Sequence, residues 1–424
     1  MTVTRAGTLI VGASQAGVQL AASLRDLGDS EPILLAGAEA RPPYQRPPLS
    51  KAYLAGKATP ESLELRAPGW YADKGIDLRL STPIDSIELD RPGGGAGTAT
   101  TREGEEIGFA RLALTVGGRA RRLRIPGADP GGPALDGVCY LRHLANADDL
   151  RRRLAGAARV VVIGGGFIGL EAAAAATSAG KDVTVVDVAD RLLGRVVAPV
   201  VSEFYRAAHR RRGTRVLLRT TSTAIEPGPG GRVAGVRLGD GTLLPADLVL
   251  AGIGLEPRTE LAGQLGLRLD HGIVVDELAR TSNPAIVAAG DCTTLPHPLT
   301  GAGLMRIESV QNAIAQAQVA AASLLGRPSA GRAVPWFWSD QGDLKLQIAG
   351  LSDGYDQVVV RGEPASEQFS VLYYGAGALL AVNAVNAPRD YMVVRKVLAE
   401  GATIPAARAA DASRPLKELM VAAA

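Results

Sequence analysis

The alternation of apolar and polar positions predicts two strand–helix–strand units in this chain. Residues 8–35 run as an apolar strand, a glycine turn, an Ala- and Leu-rich segment of helical period, and a second apolar strand. Residues 160–186 repeat that order with a tighter sequence. Both segments therefore predict βαβ units, in which two parallel strands are joined through a helix.

Each predicted βαβ unit is followed by short strands with turn signals, at residues 84–115 and 216–254. The second stretch contains Gly239-Asp240-Gly241, a sequence typical of a hairpin turn. Both stretches end in an apolar strand and glycines, at 112–118 and 248–254. This repetition indicates that one module is used twice.

The rest of the chain predicts a third, smaller domain. An Ala-rich helix is expected from Glu308 to Leu325, ending at Gly326. From Val334 onward the pattern changes to strands, followed by a helix near residues 392–400. Residues 368–388 are uncharged but alternate around a Gly-Ala-Gly turn, which favours a β-hairpin over a membrane-spanning helix.

The predicted fold class is therefore α/β, with two Rossmann-like dinucleotide-binding domains and a C-terminal α+β domain. The expected domains are a discontinuous first domain at 1–117 and 248–327, a second at 118–247, and a C-terminal domain at 328–424.

Composition narrows the classes of function. The 424 residues are 46% hydrophobic and 21% charged, with a formal net charge of +3, which excludes extensive disorder and gives no argument for a nucleic-acid partner. The two cysteines, Cys139 and Cys292, form no CxxC pair or metal cluster, so no metal site is expected. The early first strand leaves no room for an export signal, so we expect a cytoplasmic protein.

The second glycine turn, residues 164–169, has the sequence GGGFIG between an apolar strand and a helix. There, backbone N–H groups and the helix N-terminus can bind a pyrophosphate that side chains would block. Asp187 ends the following strand, where a carboxylate accepts hydrogen bonds from ribose hydroxyls and repels a 2′-phosphate, which favours NADH over NADPH. Arg191 and Arg195 moderate that preference. A purely structural tight turn is the alternative.

The first glycine turn, residues 12–17, has the sequence GASQAG, with Ser14 in place of the usual middle glycine. Serine is small enough to let phosphates approach. The acid expected after the second strand is displaced to Glu39, which is either a ribose ligand or a surface residue. Two nucleotide sites on one chain suggest a relay from a nicotinamide to a flavin.

Two further segments favour a flavin. The proline-rich segment 41–51 holds an extended path and could bring Lys51 to the ring system, where it would stabilise negative charge; a rigid surface loop or polyproline ligand is the alternative. Asp291, after Gly290, could accept hydrogen bonds from a sugar-alcohol chain or could be a turn cap. The helix after Glu308 could direct its dipole toward an anionic ring.

Taken together, these segments resemble the FAD-dependent ferredoxin reductases of the putidaredoxin reductase type, which share the glutathione-reductase-like fold. The resemblance covers essentially the whole chain. It rests on five motifs: RPPLSK at 46–51, GGGFIGLE at 164–171, AGD at 289–291, RIESVQN at 306–312 and PWFWSDQ at 335–341. Three positions depart from the family pattern: Ser14, Ala38 and Val116.

The resemblance implies a Lys51–Glu171 pair near the flavin with Trp338 beside it, so the expected catalytic residues are Lys51, Glu171 and Trp338. The residues and the resemblance together give the candidates for FAD: Gly12, Ser14, Gln15, Ala16, Gly17, Glu39, Arg46, Lys51, Ile84, Thr115, Gly117, Arg142, Gly290, Asp291, Val310 and Trp338. The candidates for the nicotinamide cofactor are Gly164, Gly166, Phe167, Ile168, Gly169, Glu171, Asp187, Arg195, Ile253 and Gly254.

The expected activity is hydride transfer from NADH to FAD, followed by one-electron transfers to an acidic [2Fe-2S] ferredoxin that supplies a monooxygenase or dioxygenase. The protein is expected to be a monomer or homodimer. Arginines are candidates for ferredoxin docking, or else belong to solvated faces: Arg119, Arg121, Arg122, Arg124, Arg206, Arg210, Arg211 and Arg212.

Two other functions stay open on this fold. A disulfide or peroxide reductase would need a reactive cysteine. The candidate is Cys292, which follows Asp291, although a small apolar packing residue is favoured over a nucleophile at that position. A non-catalytic or slow NADH-reduced flavoprotein of the apoptosis-inducing-factor type would use its reduced state as an interaction switch.

Overall fold

A computed structural model describes residues 4–128, 134–298, 300, 301, 303–328 and 333–422. The chain divides into two compact units. The first unit comprises Met1–Gln45, Pro60–Arg119 and Glu256–Ala333. The second unit comprises Arg46–Thr59, Ala120–Leu255 and Val334–Ala424.

The first unit is built on a sheet whose central strands are parallel. Its strand order is Ile76–Arg79, Ile33–Ala36, Thr4–Val11, Glu106–Leu114, Gly97–Thr101 and Ile84–Leu89, with Ile286–Ala288 also paired to Glu106–Leu114. The last two strands of the path are antiparallel. Helices Gln15–Asp26 and Val310–Leu324 pack together through alanines such as Ala21 and Ala317, whose short side chains allow close approach.

The register of the first sheet brings several strand ends to one edge. Val11 pairs with Ala36 and with Leu114, and Ala288 also pairs with Leu114. Because these strands are parallel, the loops that follow them begin at the same edge of the sheet. In open α/β sheets that edge is where ligands bind.

The second unit contains a five-stranded parallel sheet. Its order is Arg215–Leu217, Asp182–Val186, Arg159–Ile163, Leu248–Ala251 and Val138–Tyr140. The accompanying helices are Leu144–Gly156, Phe167–Ser178 and Pro199–Arg211. A small antiparallel sheet follows, of Ser222–Pro227, Val233–Leu238 and Leu243–Pro245.

The second unit also contains an antiparallel sheet near the C-terminus. Its strand order is Trp336–Gln341, Leu344–Gly350, Ala378–Val385, Gln368–Gly375 and Gln357–Glu363. Helix Pro388–Ala399 packs on this sheet through Tyr391, Val394 and Val397, which join its core.

The remaining elements are short. Helical turns occur at Pro47–Ser50, Glu61–Leu63, Trp70–Asp73, Pro229–Gly231, Glu260–Gln264, Pro364–Ser366, Ala406–Ala409 and Leu416–Glu418. Short strands occur at Gly118–Ala120, Leu255–Pro257, Ile273–Val274, Thr293–Pro296, Leu304–Met305, Ala402–Thr403 and Val421–Ala422. Within the described ranges, every helix is too short or too polar to span a bilayer.

The predicted α/β class and both βαβ units are confirmed. The hairpin expected within 368–388 is also present, because Gln368–Gly375 pairs antiparallel with Ala378–Val385. The boundary at residue 248 is wrong, since Leu248–Ala251 pairs with Arg159–Ile163 inside the second unit. Residues 46–59 are likewise grouped with the second unit. The other domain boundaries stay predictions.

Candidate functional site

The first glycine turn is a tight backbone crossing between strand Thr4–Val11 and helix Gln15–Asp26. Gly12 has a φ of +114°, and a Cβ there would lie 2.3 Å from the carbonyl oxygen of Thr115. A Cβ on Gly17 would lie 2.1 Å from the oxygen of Gly12. Both positions therefore require glycine, and their compactness brings the helix N-terminus directly behind the strand, as pyrophosphate binding needs.

Thr115 fixes this turn from the neighbouring strand. Its buried Oγ1 donates hydrogen bonds to the carbonyl oxygens of Val11, at 3.1 Å, and Gly12, at 2.8 Å. Gly117, two residues later, has a φ of +62°. The candidates Thr115 and Gly117 thus lie at the ligand edge of the first sheet.

Gly290 reaches the same edge from strand Ile286–Ala288. Its φ is +89°, and a Cβ there would lie 3.2 Å from the Cβ of Ala16. The Gly290 N–H donates to Oε1 of buried Gln316 at 2.8 Å, which fixes the start of the turn that carries Asp291. In the adjacent helix, which begins at Val310, the buried Oε1 of Gln311 has no hydrogen-bond partner among the described residues, as expected of an acceptor awaiting a ligand.

Glu39 and Ile84 have different surroundings in the first unit. Glu39 is half-buried, and its Oε2 accepts a hydrogen bond of 2.5 Å from the Tyr44 hydroxyl. A fixed carboxylate after strand Ile33–Ala36 fits a ribose ligand. Ile84 packs against the hydrophobic core of the first unit.

The second glycine turn repeats the backbone crossing of the first. Gly164 has a φ of +111°, and a Cβ there would lie 2.4 Å from the oxygen of Gly252. A Cβ on Gly169 would lie 2.1 Å from the oxygen of Gly164. Around Gly166, by contrast, a Cβ would meet no atom within 4 Å. The free space lies at the N-terminus of helix Phe167–Ser178, where a phosphate would bind.

Asp187 is tied to this turn. Its Oδ2 accepts a hydrogen bond of 2.6 Å from the Gly165 N–H, and its Oδ1 accepts one of 2.9 Å from the Ala189 N–H. The carboxylate is therefore held next to the phosphate loop, with lone pairs remaining for ribose hydroxyls. The residues of both units thus fit a dinucleotide.

The other nicotinamide candidates differ in exposure. Arg191, which is expected only to moderate the preference for NADH, is occupied locally, because its guanidinium donates to the carbonyl oxygens of Val197 and Gly194. Arg195 and Gly254 are exposed, Ile253 is half-buried, and the Ile168 residue is 41% exposed. The Phe167 ring packs on the Phe337 ring, with centroids 4.6 Å apart.

The Lys51–Glu171 ion pair lies inside the second unit. Lys51 follows the turn Pro47–Ser50, and Glu171 lies four residues into helix Phe167–Ser178. Lys51 Nζ lies 2.8 Å from Glu171 Oε2, and the Glu171 side chain is only 1% exposed. The pairing that the family resemblance implies is therefore present, and its place beside a flavin stays a prediction.

Two serine hydroxyls complete the contacts of Glu171. Ser50 Oγ donates to Oε2 at 2.5 Å, and Ser339 Oγ donates to Oε1 at 2.6 Å. Burial raises the pKa of Glu171 above its ordinary value, whereas the charge of Lys51 and the hydrogen bonds oppose that rise. The charge of this carboxylate therefore depends on its donors.

Arg46 and Trp338 are also in the second unit. Arg46 Nη1 donates to the Arg142 carbonyl oxygen at 2.9 Å and contacts Nδ1 of His143 at 3.0 Å. The Trp338 ring lies 5.5 Å from that of Trp336, on the face of strand Trp336–Gln341 opposite to Ser339, since side chains alternate along a strand. Contact of Trp338 with a flavin stays a prediction.

Four polar residues that lie around Glu171 or lead away from it were not among the predicted candidates: Ser50, Ser339, Gln341 and His209. Ser50, Ser339 and Gln341 lie inside motifs quoted above, and the polar residues at 339 and 341 share one face of an otherwise aromatic strand, which was the available signal. No signal marks His209, because its partner lies 132 residues away.

Cys292 is unsuited to disulfide or peroxide chemistry. It is completely buried, and burial raises the pKa of its thiol to about 12. A reactive cysteine needs an accessible thiolate. Cys292 is therefore a small core residue, as the sequence favours.

The candidate docking arginines form two groups. Four form ion pairs with carboxylates of their own unit: Arg119, Arg206, Arg211 and Arg212. Four exposed arginines have no ion pair among the described residues: Arg121, Arg122, Arg124 and Arg210. The segment 121–124 therefore keeps more of its positive charge available to a partner.

Comparison with known proteins adds the family context. Residues 7–317 match the family model described as pyridine nucleotide-disulphide oxidoreductase, and residues 336–420 match the reductase C-terminal model. The chain is 43% identical to putidaredoxin reductase of Pseudomonas putida over 98% of this chain and 97% of that protein. It is 44% identical to rhodocoxin reductase of Rhodococcus erythropolis, over 96% and 93% respectively.

A solved structure gives the same result. The chain matches the crystal structure of a covalent putidaredoxin reductase–putidaredoxin complex with a TM-score of 0.92 and 42% identity. The match covers 98% of each chain. The similarity therefore extends over both compact units.

Proposed function

This chain belongs to the pyridine nucleotide-disulphide oxidoreductase family, and on that premise we propose that it is an FAD-dependent NADH:ferredoxin reductase. Its partner would be a [2Fe-2S] ferredoxin that supplies a monooxygenase or dioxygenase. The flavin suits this role because it accepts the two electrons of NADH together and releases them singly.

The observation that carries the proposal is the buried Lys51–Glu171 pair beside the second glycine turn. Glu171 lies on the helix whose N-terminus faces the open space at Gly166. Glu171 lies four positions after Phe167, about 6 Å along the helix axis. One helix thus carries both the pyrophosphate position and the carboxylate that holds Lys51.

Lys51 has the properties of a group that stabilises negative charge at a ring. Its side chain is 13% exposed, so its charge acts through a medium of low polarity. Nζ is fixed by Glu171 at 2.8 Å and by the Pro47 carbonyl oxygen at 3.2 Å. Little reorganisation is needed when charge develops nearby, which is the condition for electrostatic stabilisation.

The Asp187 carboxylate supports NADH as the preferred nicotinamide cofactor. Hydrogen bonds from Gly165 and Ala189 keep it at the end of strand Asp182–Val186. There it would accept hydrogen bonds from ribose hydroxyls and repel a 2′-phosphate.

The exposed arginines at 121, 122 and 124 support an acidic protein partner. The Arg122 guanidinium lies 4.1 Å from the centre of the Tyr140 ring, a contact that orients the side chain and leaves its charge in place. Such charges accelerate encounter with an acidic ferredoxin, and the acceleration falls as salt rises.

We also place the protein in the cytoplasm. Cys139 and Cys292 are both buried and free, as thiols of a reducing compartment are. Cell fractionation tests this location, and recovery of the protein in a membrane or periplasmic fraction would contradict it.

The test of function is an NADH titration of the purified protein followed by visible absorption, and then electron delivery to cytochrome c with and without a [2Fe-2S] ferredoxin. We expect bound FAD that NADH reduces, with cytochrome c reduction that depends on ferredoxin. A protein that binds no FAD, or whose cytochrome c reduction ignores ferredoxin, contradicts the proposal.

Two lysine variants sharpen this test. Lys51→Met should slow the reduction of FAD by at least about tenfold, because one charge that stabilises the reduced state is lost. Lys57→Met is the matched control, since Lys57 is exposed in the same segment, and should reduce FAD at the wild-type rate.

A further inference from the structure

A continuous chain of buried polar side chains leads away from Glu171 in the second unit. Ser339 Oγ donates to Glu171 Oε1 at 2.6 Å, and Gln341 Nε2 donates to Ser339 Oγ at 3.3 Å. Gln341 Oε1 lies 2.8 Å from Nε2 of His209. All four residues are at most 3% exposed. Buried polar networks of this kind order side chains strongly when every member has a partner.

The hydrogen bonds of this chain all point in one direction. An amide oxygen can only accept, so Nε2 of His209 must carry a hydrogen. The Gln341 amide is thereby oriented with its N–H toward Ser339, whose oxygen accepts it. The hydroxyl hydrogen of Ser339 is then left for Glu171.

The two oxygens of Glu171 are supported unequally. Oε2 receives Lys51 and Ser50, whereas Ser339 is the hydroxyl donor to Oε1. If the Gln341 amide were reversed, the Ser339 hydroxyl would point to the amide oxygen and Oε1 would lose its donor. The orientation of the Gln341 amide, two positions along the strand from Ser339, thus controls the hydrogen bond from Ser339 to Glu171.

We propose that Ser339 and Gln341, oriented by His209, are positioning residues that keep Glu171 ionised and so hold Lys51 at the flavin. This inference rests on the proposed function, because it gives the Lys51–Glu171 pair its role in the reduction of FAD. Burial lowers the pKa of His209, so the ring is neutral with one N–H, as this orientation requires.

The experiment compares Ser339→Ala and Gln341→Met with Ser370→Ala. The control is closely matched: Ser370 is also fully buried in the second unit, and its Oγ donates to a carboxylate, Asp390 Oδ2, at 2.9 Å. For each holoprotein we would measure the FAD midpoint potential from pH 6 to 9 and the rate of reduction by NADH in a single turnover. The potential is an equilibrium property and does not depend on turnover.

In Ser339→Ala we expect the potential–pH curve to shift toward higher pH by about one unit and FAD reduction to slow about tenfold, the effect of one lost hydrogen bond to a buried charge. In Gln341→Met the Ser339 hydroxyl keeps its acceptor but loses the N–H that orients it, so we expect a smaller shift in the same direction. The direction of this pH shift follows from the Glu171 carboxyl, because with fewer donors it ionises only at higher pH. Ser339→Thr should restore the wild-type curve, and Ser370→Ala should match it.

His209 is tested by two substitutions. His209→Gln keeps an N–H at similar reach and should behave as wild type, whereas His209→Leu should behave as Gln341→Met. Other groups also face Glu171 and His209. The charge of Lys51 acts on Glu171, and the charge of Arg212 acts on His209. Tyr205 interacts electrostatically with Glu171, and its ring centre lies 6.5 Å from that of His209, so Tyr205→Phe is measured in parallel to separate its contribution.

The outcomes separate this inference from the proposed function. If wild-type protein binds FAD and is reduced by NADH, but Ser339→Ala, Gln341→Met and Ser370→Ala share one potential–pH curve, the positioning role is overturned and the proposed function stands. If wild-type protein binds no FAD, the proposed function fails first. Thermal unfolding midpoints confirm that each compared variant is folded.

Discussion

The two glycine turns share a backbone and differ in their surroundings. In both, a Cβ on the last glycine would lie 2.1 Å from the oxygen of the first. The middle position is Ser14 in one turn and Gly166 in the other, where added atoms meet open space. Glycines of one motif thus serve two purposes: the outer ones let backbones cross, and the middle one leaves open the space at the helix N-terminus where we propose that a phosphate binds.

The turns also differ in how they are held. The first turn is fixed by the Thr115 hydroxyl, which donates to the Gly12 oxygen. In the second turn the residue beside Gly164 is Gly252, which has no side chain to donate. The second is fixed by the carboxylate of Asp187 through the Gly165 N–H. Each turn therefore has one polar side chain that sets its shape, and these side chains contact opposite polar groups of the backbone.

The largest effect is expected from filling the backbone crossings. Gly17→Ala and Gly169→Ala each place a Cβ against a carbonyl oxygen, so we expect a loss of about 3 kcal/mol or more in the free energy of unfolding. Urea unfolding measures this loss. Gly166→Ala is the matched control and should cost less than about 1 kcal/mol. Equal losses of unfolding free energy in Gly166→Ala and Gly169→Ala would contradict the distinction between outer glycines that let backbones cross and a middle glycine that faces open space.

A smaller effect is expected from the acid of the second turn. Asp187→Asn removes the charge that repels a 2′-phosphate and weakens the hold on Gly165, so the KM for NADH should rise about tenfold while that for NADPH falls. Steady-state kinetics with both cofactors measure the change. FAD content should stay at the wild-type level, and a loss of FAD would show that the two turns are not independent.

The hydroxyl of the first turn should have a more modest effect. Thr115→Val keeps the shape of the side chain and removes its hydroxyl donor, while the Val11 and Gly12 carbonyl oxygens keep the N–H groups of Thr115 and Ser14 as donors, so we expect a loss of about 1 kcal/mol of stability. Urea unfolding without added FAD measures the loss of stability, and unfolding with added FAD measures how much of it the bound ligand restores. A variant as stable as wild type would mean that the Gly12 turn holds its shape without Thr115.

The smallest effect is expected from exchanging the middle residues. Ser14→Gly and Gly166→Ser give each turn the middle residue of the other, and Gly166 faces open space, so affinity for FAD or NADH should change by less than about fivefold, with stability within about 0.5 kcal/mol of wild type. Isothermal titration and urea unfolding measure these values. A collapse of NADH binding in Gly166→Ser would show that the second turn needs glycine at its centre.

Local patterns in the sequence predict the fold well. Strand and helix periods, together with glycines at strand ends, identify both βαβ units and the C-terminal hairpin, because each depends on neighbouring residues. The boundary at 248 fails for the opposite reason. Strand Leu248–Ala251 looks like the end of a module, but its place is set by pairing with strand Arg159–Ile163, far away in the chain.

The site is predicted only in part. The Lys51–Glu171 pair comes from the resemblance, since 120 residues separate its members and no local pattern links them. The neutralisation of Arg211 and Arg212 by Glu367 is a contact of the same long range. A charge run in sequence cannot show which members are paired in the fold, and so Arg121, Arg122 and Arg124 become distinct from Arg212 only in three dimensions.

The strand Trp336–Gln341 has a consequence for engineering. Its residues lie in the part of the chain that matches the reductase C-terminal model, at 336–420, which a protein engineer could exchange between reductases as one piece. Such a chimera would exchange Ser339, and with it a donor to the carboxylate that neutralises Lys51. Grafts that alter residue 339 or 341 should therefore change the driving force for electron transfer.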